Sequence, residues 1–319
     1  MLSDTWTSEA LSKALLSQDD WHPFPKASEP DRWNAIPEPI RQAYTDRAAA
    51  ALNHDWPALP ATLFLEFARN GNRRNYERVS FGRRTTLGDL IIAECIENDG
   101  RYLDDIVNGI WAICEESFWG IPACMYMQKH GPGLPDIEDP VIPLFVAETV
   151  LLLSWAVYLL KPQLDAVSPL VVDRITVETD RRVLQPLRDR EDFWWMGLGE
   201  NVHPITGRKR RVNNWNPWII SNWLTTALIL ETDADARVEH VAKCVRSLDQ
   251  FVDPYPNDGG CDEGPSYWGR AGASLFDCLE LLHSATDGAI NIYDDPKIQE
   301  IGRFVYRAQI ADRYFVNFA

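Results

Sequence analysis

Apolar residues recur along this chain every three or four positions, and no stretch alternates convincingly between apolar and polar. That rhythm keeps one face of a helix apolar and does not build a half-buried strand. It predicts helices over 5–16, 38–52, 60–70, 85–97, 101–116, 143–161, 168–190, 216–231, 235–251, 265–285 and 294–312. Val238, Val241, Val245 and Leu248, for example, share one face after Asp235. Pro60 and Pro143 suit first helical turns. Most connections are short, so 143–161 with 168–190, and 216–231 with 235–251, read as helical hairpins. A row of hairpins without strands predicts an all-α bundle, solenoid or closed toroid. No linker interrupts the 319 residues, which reads as one domain over 1–319.

The net charge is −16, which argues against nucleic acid or an anionic membrane as the main partner. The longest apolar run, Leu144–Leu160, carries Glu148 and Ser154 and reads as a buried core helix rather than a membrane span. No basic stretch followed by an apolar one opens the chain, so the expectation is no signal peptide and a cytoplasmic location. Cys95, Cys114, Cys124, Cys244, Cys261 and Cys278 are scattered, as reduced buried thiols are. None of the six histidines has metal-ligand spacing; His130 and His203 stand out only because they fall in the long irregular stretches Phe118–Pro140 and Phe193–Asn214. No metal and no cofactor are expected in this chain. The thirteen tryptophans serve core packing or present flat faces to sugar rings.

Two motifs carry chemistry. In the first, Arg208-Lys209-Arg210-Arg211 precedes Asn213-Asn214-Trp215-Asn216-Pro217 and a strongly apolar helix. Asn216 reads as the N-cap and Pro217 as the first helical residue. Asn213 and Asn214 then lie at the positive end of a helix, beside a cationic run suited to a carboxylated ligand. In the second, Asp258-Gly259-Gly260-Cys261-Asp262-Glu263-Gly264-Pro265-Ser266-Tyr267-Trp268 makes a glycine-rich turn into a helix opened by Pro265. A helix N-terminus and cationic neighbours favour the phenolate of Tyr267, which suits a general base or acid.

Together, in this order on a helical chain, Asn213–Leu224 and Asp258–Ser274 resemble the heparinase II/III-like family of polysaccharide lyases. Leu134–Leu160 and Arg174–Pro186 also look like this family, so the resemblance spans roughly 120–285. It implies an (α/α) toroid followed by a β-sandwich domain. That domain would be absent here, in keeping with the abrupt end RYFVNFA, and its metal sites do not carry over. It also implies β-elimination at a uronic acid. An asparagine, here Asn214 and next Asn213, would neutralise the C5 carboxylate, and Tyr267 would act as base, acid or both. Arg210 and Arg211 would supply field, and Trp215 and Trp268 would line the sugar subsites, with Asn216, Glu263 and His203 as further substrate contacts. Trp215 stands where many lyases with a related motif carry histidine. The expected partner is an anionic, uronate-bearing oligo- or polysaccharide.

Two other readings compete. A glycoside hydrolase on a similar toroid would use Glu148, Asp262 or Glu263, although adjacent carboxylates rarely point into one site. Glu148 otherwise reads as a structural partner of Arg174 or Arg182. A non-catalytic saccharide-binding module is the third reading.

Overall fold

A computed structural model describes residues 1–200, 202, 207, 211–316 and 318. The chain is mostly helical, with 61% of residues in helices and 2% in strands. In chain order the helices are α1 (Ser8–Ala14), α2 (Pro30–Asn34), α3 (Glu38–Ala50), α4 (Ala61–Phe64), α5 (Glu66–Asn70), α6 (Arg74–Glu97), α7 (Leu103–Cys114), α8 (Leu144–Val167), α9 (Pro169–Thr179), α10 (Gln185–Asp189), α11 (Trp215–Leu230), α12 (Ala234–Val252), α13 (Gly264–Trp268), α14 (Gly272–Ala285) and α15 (Pro296–Arg307). A short antiparallel hairpin, β1 (Gln309–Ala311) with β2 (Tyr314–Phe315), follows.

The contacts divide into two compact units, Phe24–Pro186 and Met1–Pro23 with Leu187–Ala319. In the first, α6 packs against α3, α7 and α8, and α8 packs against α9. Helix α8 is long and apolar enough to cross a membrane, with a mean hydropathy of 1.7 over its most apolar window. Yet 61% of that window is buried inside the protein, and Val150, Leu153 and Leu160 are fully buried as core residues. In the second unit, α11 lies against both α12 and α14. Nearly all of α11 is buried, as expected of a helix that is apolar all round. The six cysteines are free and buried.

Local signals explain several helix starts. Asp233 caps α12 by accepting the Ala236 N–H at 2.8 Å, and Asp295 caps α15 by accepting that of Lys297 at 2.8 Å. Pro169 and Pro296 open α9 and α15, where a missing N–H costs nothing. Pro60 and Pro143 sit one position before α4 and α8 rather than inside them. The helix predicted over 168–190 contains a π-helical turn at Asp180–Leu184. The one predicted over 265–285 breaks between α13 and α14, where the Trp268 indole packs on Gly272; a Cβ there would lie 2.3 Å from its nitrogen. Helix α6 begins eleven positions before the predicted start at 85, because its polar first turns lack the apolar rhythm.

His240 of α12 is 1% exposed and accepts the Trp223 indole N–H from α11 at Nδ1, 3.1 Å away. Burial, with Arg188 and Lys243 adding to it, pushes its imidazolium down to about 4. The unfolded chain therefore takes up this proton first. Native stability is full above the ordinary histidine range and falls as the pH drops from about 6.5 to about 4. The expected loss is about 3 kcal/mol from this group. Urea denaturation at pH 7 and pH 4 should show a smaller difference for His240→Gln than for the parent chain.

Candidate functional site

The first motif begins with a turn made by its own asparagine. The Asn213 side-chain carbonyl accepts the Trp215 N–H at 3.1 Å, and its backbone carbonyl accepts that of Asn216 at 3.0 Å. Helix α11 therefore starts at Trp215, two residues before the expected position. Asn214 is its N-cap, and Asn216 and Pro217 lie in its first turn. Asn216 is 0% exposed, and its amide nitrogen donates to the carbonyls of Trp195 (2.9 Å) and Ser247 (3.0 Å) and to the Ser247 hydroxyl (3.1 Å). It ties α11 to the Trp194–Met196 turn and to α12, which replaces the expected substrate contact with a structural role.

Asn214 is different. It is 3% exposed, yet its carboxamide makes no hydrogen bond among the described residues. Among the described residues, the fully buried polar atom without a partner here is Asn216 Oδ1; the Asn214 amide keeps contact with solvent, and so is open to a ligand. It sits at the positive end of a sixteen-residue helix.

The second motif turns at Gly259, whose φ of +74° and close approach to the Glu300 carbonyl leave no room for a side chain. Gly264 has a φ of +76° and faces the Phe318 carbonyl in the same way. Tyr267 is 48% exposed. It is fourth in the five-residue α13, too late in too short a helix for the expected help from a helix N-terminus. Trp268 donates its indole N–H to the Ile301 carbonyl of α15 at 3.0 Å, which commits that edge of the ring to packing.

The two motifs meet. The Asn214 backbone N–H faces the Glu263 carboxylate and favours its charged form, but burial outweighs this and pushes the carboxyl above the usual range. Arg211 lies 3.9 Å from Asp262, with its guanidinium 5.9 Å from the Tyr255 ring. The Arg270 guanidinium rests 4.2 Å from the Trp218 ring of α11, and the Arg270 backbone N–H donates to the Tyr267 carbonyl at 2.9 Å. Trp215 pairs with Trp194 at 5.1 Å, both half-buried. Asn213, Asn214, Trp215, Arg211, Glu263 and the Tyr267 turn thus belong to one neighbourhood. His203 and Arg210 lie outside the described residues.

Arg270 and Trp194 went unread in the sequence. Nothing marks an arginine three residues after Tyr267, or one tryptophan among thirteen, before the fold sets them against α11. The other candidates fall elsewhere. Glu148, in the Phe24–Pro186 unit, lines a depression of about 350 Å3 with Phe81, Arg84 and Phe145. His130 is exposed and bonds Asp136 at 2.6 Å. No group of three metal-ligating side chains occurs among the described residues.

The partners foreseen for Glu148 instead serve a buried ionic core in that unit. Glu178 takes Arg174 (3.1 Å), Arg181 (2.6 Å) and Arg182 (2.6 Å). Burial pushes its carboxyl up, but the bonds from Arg181 and Arg182 outweigh this and hold it below the usual range. Arg182 also donates to the carbonyls of Glu116 (2.6 Å) and Cys114 (3.0 Å) and lies over the Trp119 ring. Glu116, almost wholly buried, takes Arg83 at 2.9 Å and Arg84 at 2.6 Å.

No protein-family model matches the chain, and no curated protein matches it either.

Removing one partner of a buried ion pair leaves the other charge uncompensated. Glu116→Ala should therefore cost about 3–5 kcal/mol of stability, because Arg83 and Arg84 lose their shared carboxylate. Chemical denaturation checks this.

Proposed function

We propose that this chain is the helical portion of a carbon–oxygen lyase that cleaves a uronate-containing glycan by β-elimination. The fold we assign is an (α/α) toroid of helical hairpins, with a β-sandwich domain following it in the full-length protein. The observation that carries the reading is Asn214 at the head of α11, whose carboxamide makes no hydrogen bond among the described residues and whose backbone N–H faces Glu263 on the loop that bears Tyr267.

In this reading the Asn214 amide, with Asn213 and Arg211 nearby, hydrogen-bonds the C5 carboxylate of the bound uronate. Neutralising that charge makes the C5 proton acidic and stabilises the enolate-like anion that forms when it leaves. Tyr267 is exposed enough to reach the sugar and takes that proton, gives one to the departing O4 oxygen, or does both. As the C4–O4 bond breaks, a double bond forms between C4 and C5. The half-buried pair Trp194–Trp215 offers an aromatic surface for a neighbouring ring.

One observation favours a second reading. A carboxyl pushed above its usual range by burial, as at Glu263, suits the acid of a glycoside hydrolase. Asp262, its only near neighbour of the same kind in the motif, is 71% exposed and faces Arg211. The lyase reading accounts for more of the site, since it also uses Asn214 and Tyr267.

The test is turnover on a panel of uronate oligosaccharides, followed by near-UV absorbance of the unsaturated end. Tyr267→Phe and Asn214→Ala should each lower kcat by about 10²–10³-fold. Tyr267→Phe should leave the melting temperature unchanged, because that side chain is half exposed. Undiminished absorbance in Tyr267→Phe overturns the assignment.

A further inference from the structure

The Phe24–Pro186 unit holds a second feature that the proposed chemistry does not use. Between Arg69 and Arg84 the sequence places six arginines and a single carboxylate, Glu77, in a protein whose net charge is −16. Two of these arginines are consumed by the buried Glu116, and Arg73 pairs with Glu77 at 2.7 Å. Arg69, Arg74 and Arg78 are exposed and make no ion pair or side-chain hydrogen bond among the described residues. Arg74 and Arg78 stand one turn apart on α6, where like charges repel.

Arg73, Arg74 and Arg78 line a broad surface depression of about 920 Å3 that ends on Phe81. Phe81 also lines the neighbouring depression of about 350 Å3, where its ring meets Phe145 at 4.8 Å. The two hollows therefore share Phe81: Arg73, Arg74 and Arg78 line the larger with Glu77, which Arg73 neutralises, and Phe145, Arg84 and Glu148 line the smaller. Guanidinium forks match carboxylate and sulfate oxygens, and aromatic faces match the C–H faces of sugar rings.

We propose that this arginine-walled groove binds an acidic polysaccharide chain, carboxylated or sulfated, through Arg74 and Arg78 over the Phe81–Phe145 floor. The aromatic floor favours a sugar over an acidic protein segment. Charge density favours it over nucleic acid. Duplex DNA brings one charge per about 1.7 Å, which a chain of net charge −16 repels beyond the patch, whereas a uronate chain brings one per ring. The proposal takes only its choice of sugar from the lyase reading; the groove lies wholly within one unit and uses none of the residues assigned to elimination.

Calorimetric binding of the full chain to polygalacturonate (carboxylated), dextran sulfate (sulfated), neutral dextran and single-stranded DNA tests it, with Arg74→Glu/Arg78→Glu alongside. The expected result is binding to one or both acidic polysaccharides, weaker at higher salt, and none to neutral dextran. Affinity should fall by about tenfold or more in the double variant, with the melting temperature unchanged because both side chains are exposed. Arg74→Lys/Arg78→Lys should fall between the two. Which polysaccharide binds decides between carboxylate and sulfate. Equal affinity in the charge-reversed variant, equal binding to DNA, or binding to neither acidic polysaccharide overturns the proposal. Turnover of a short uronate oligosaccharide, measured in both variants, reports on the lyase reading separately: lost binding with unchanged turnover supports the groove, and bound polymer without an unsaturated product counts against the lyase alone.

Discussion

Helix α11 is apolar on every face, so it is stable only when surrounded, and α12 and α14 pack along it. Burying it to its first turn creates a polar problem at its head, because the first N–H groups and any polar side chain there must find partners. Asn216 meets part of that need through its amide nitrogen, whose two hydrogens are shared among the Trp195 carbonyl and the Ser247 carbonyl and hydroxyl, while its Oδ1 has no partner among the described residues. Asn213 meets another part through its turn onto Trp215. Asn214 turns its backbone N–H towards Glu263, and its side chain has no partner among the described residues. The packing of one helix thus makes Asn216 structural and leaves the Asn214 side chain without a partner among the described residues.

The same helix head gathers the loop from Asp258 to Ala271. Glycines at 259 and 264 let that loop pass close to the backbone at Glu300 and Phe318, and Arg270 closes it onto Trp218. Tyr267 is carried on this closed loop with its ring in solvent. In the proposed reading, that support would hold the phenol in position for proton transfer at a bound sugar.

Much of the fold was legible because helical rhythm survives in single sequences. The α8–α9 and α11–α12 pairings and the buried character of Leu144–Leu160 follow from it. Helix starts were read less well. The string Asn213-Asn214-Trp215-Asn216-Pro217 offers three capping residues, and only tertiary burial of Asn216 decides that Asn214 is the cap. The break after Trp268 was hidden because 265–285 keeps an apolar rhythm, while the steric demand of an indole on Gly272 appears only in three dimensions. The two motifs were legible as motifs, and their meeting through Glu263 and Arg270 was not. Nor was the ionic core around Glu116 and Glu178, whose members come from α6, α9, the π-helical turn and the segment after α7.

The central claim is that a C–O bond breaks without water. The most direct measurement is the mass of both products released from a defined uronate oligosaccharide by the full-length protein. Elimination predicts two masses that add up to that of the substrate, one product carrying the double bond. Two masses that add up to the substrate plus one water would contradict the account and move the chemistry to Glu263.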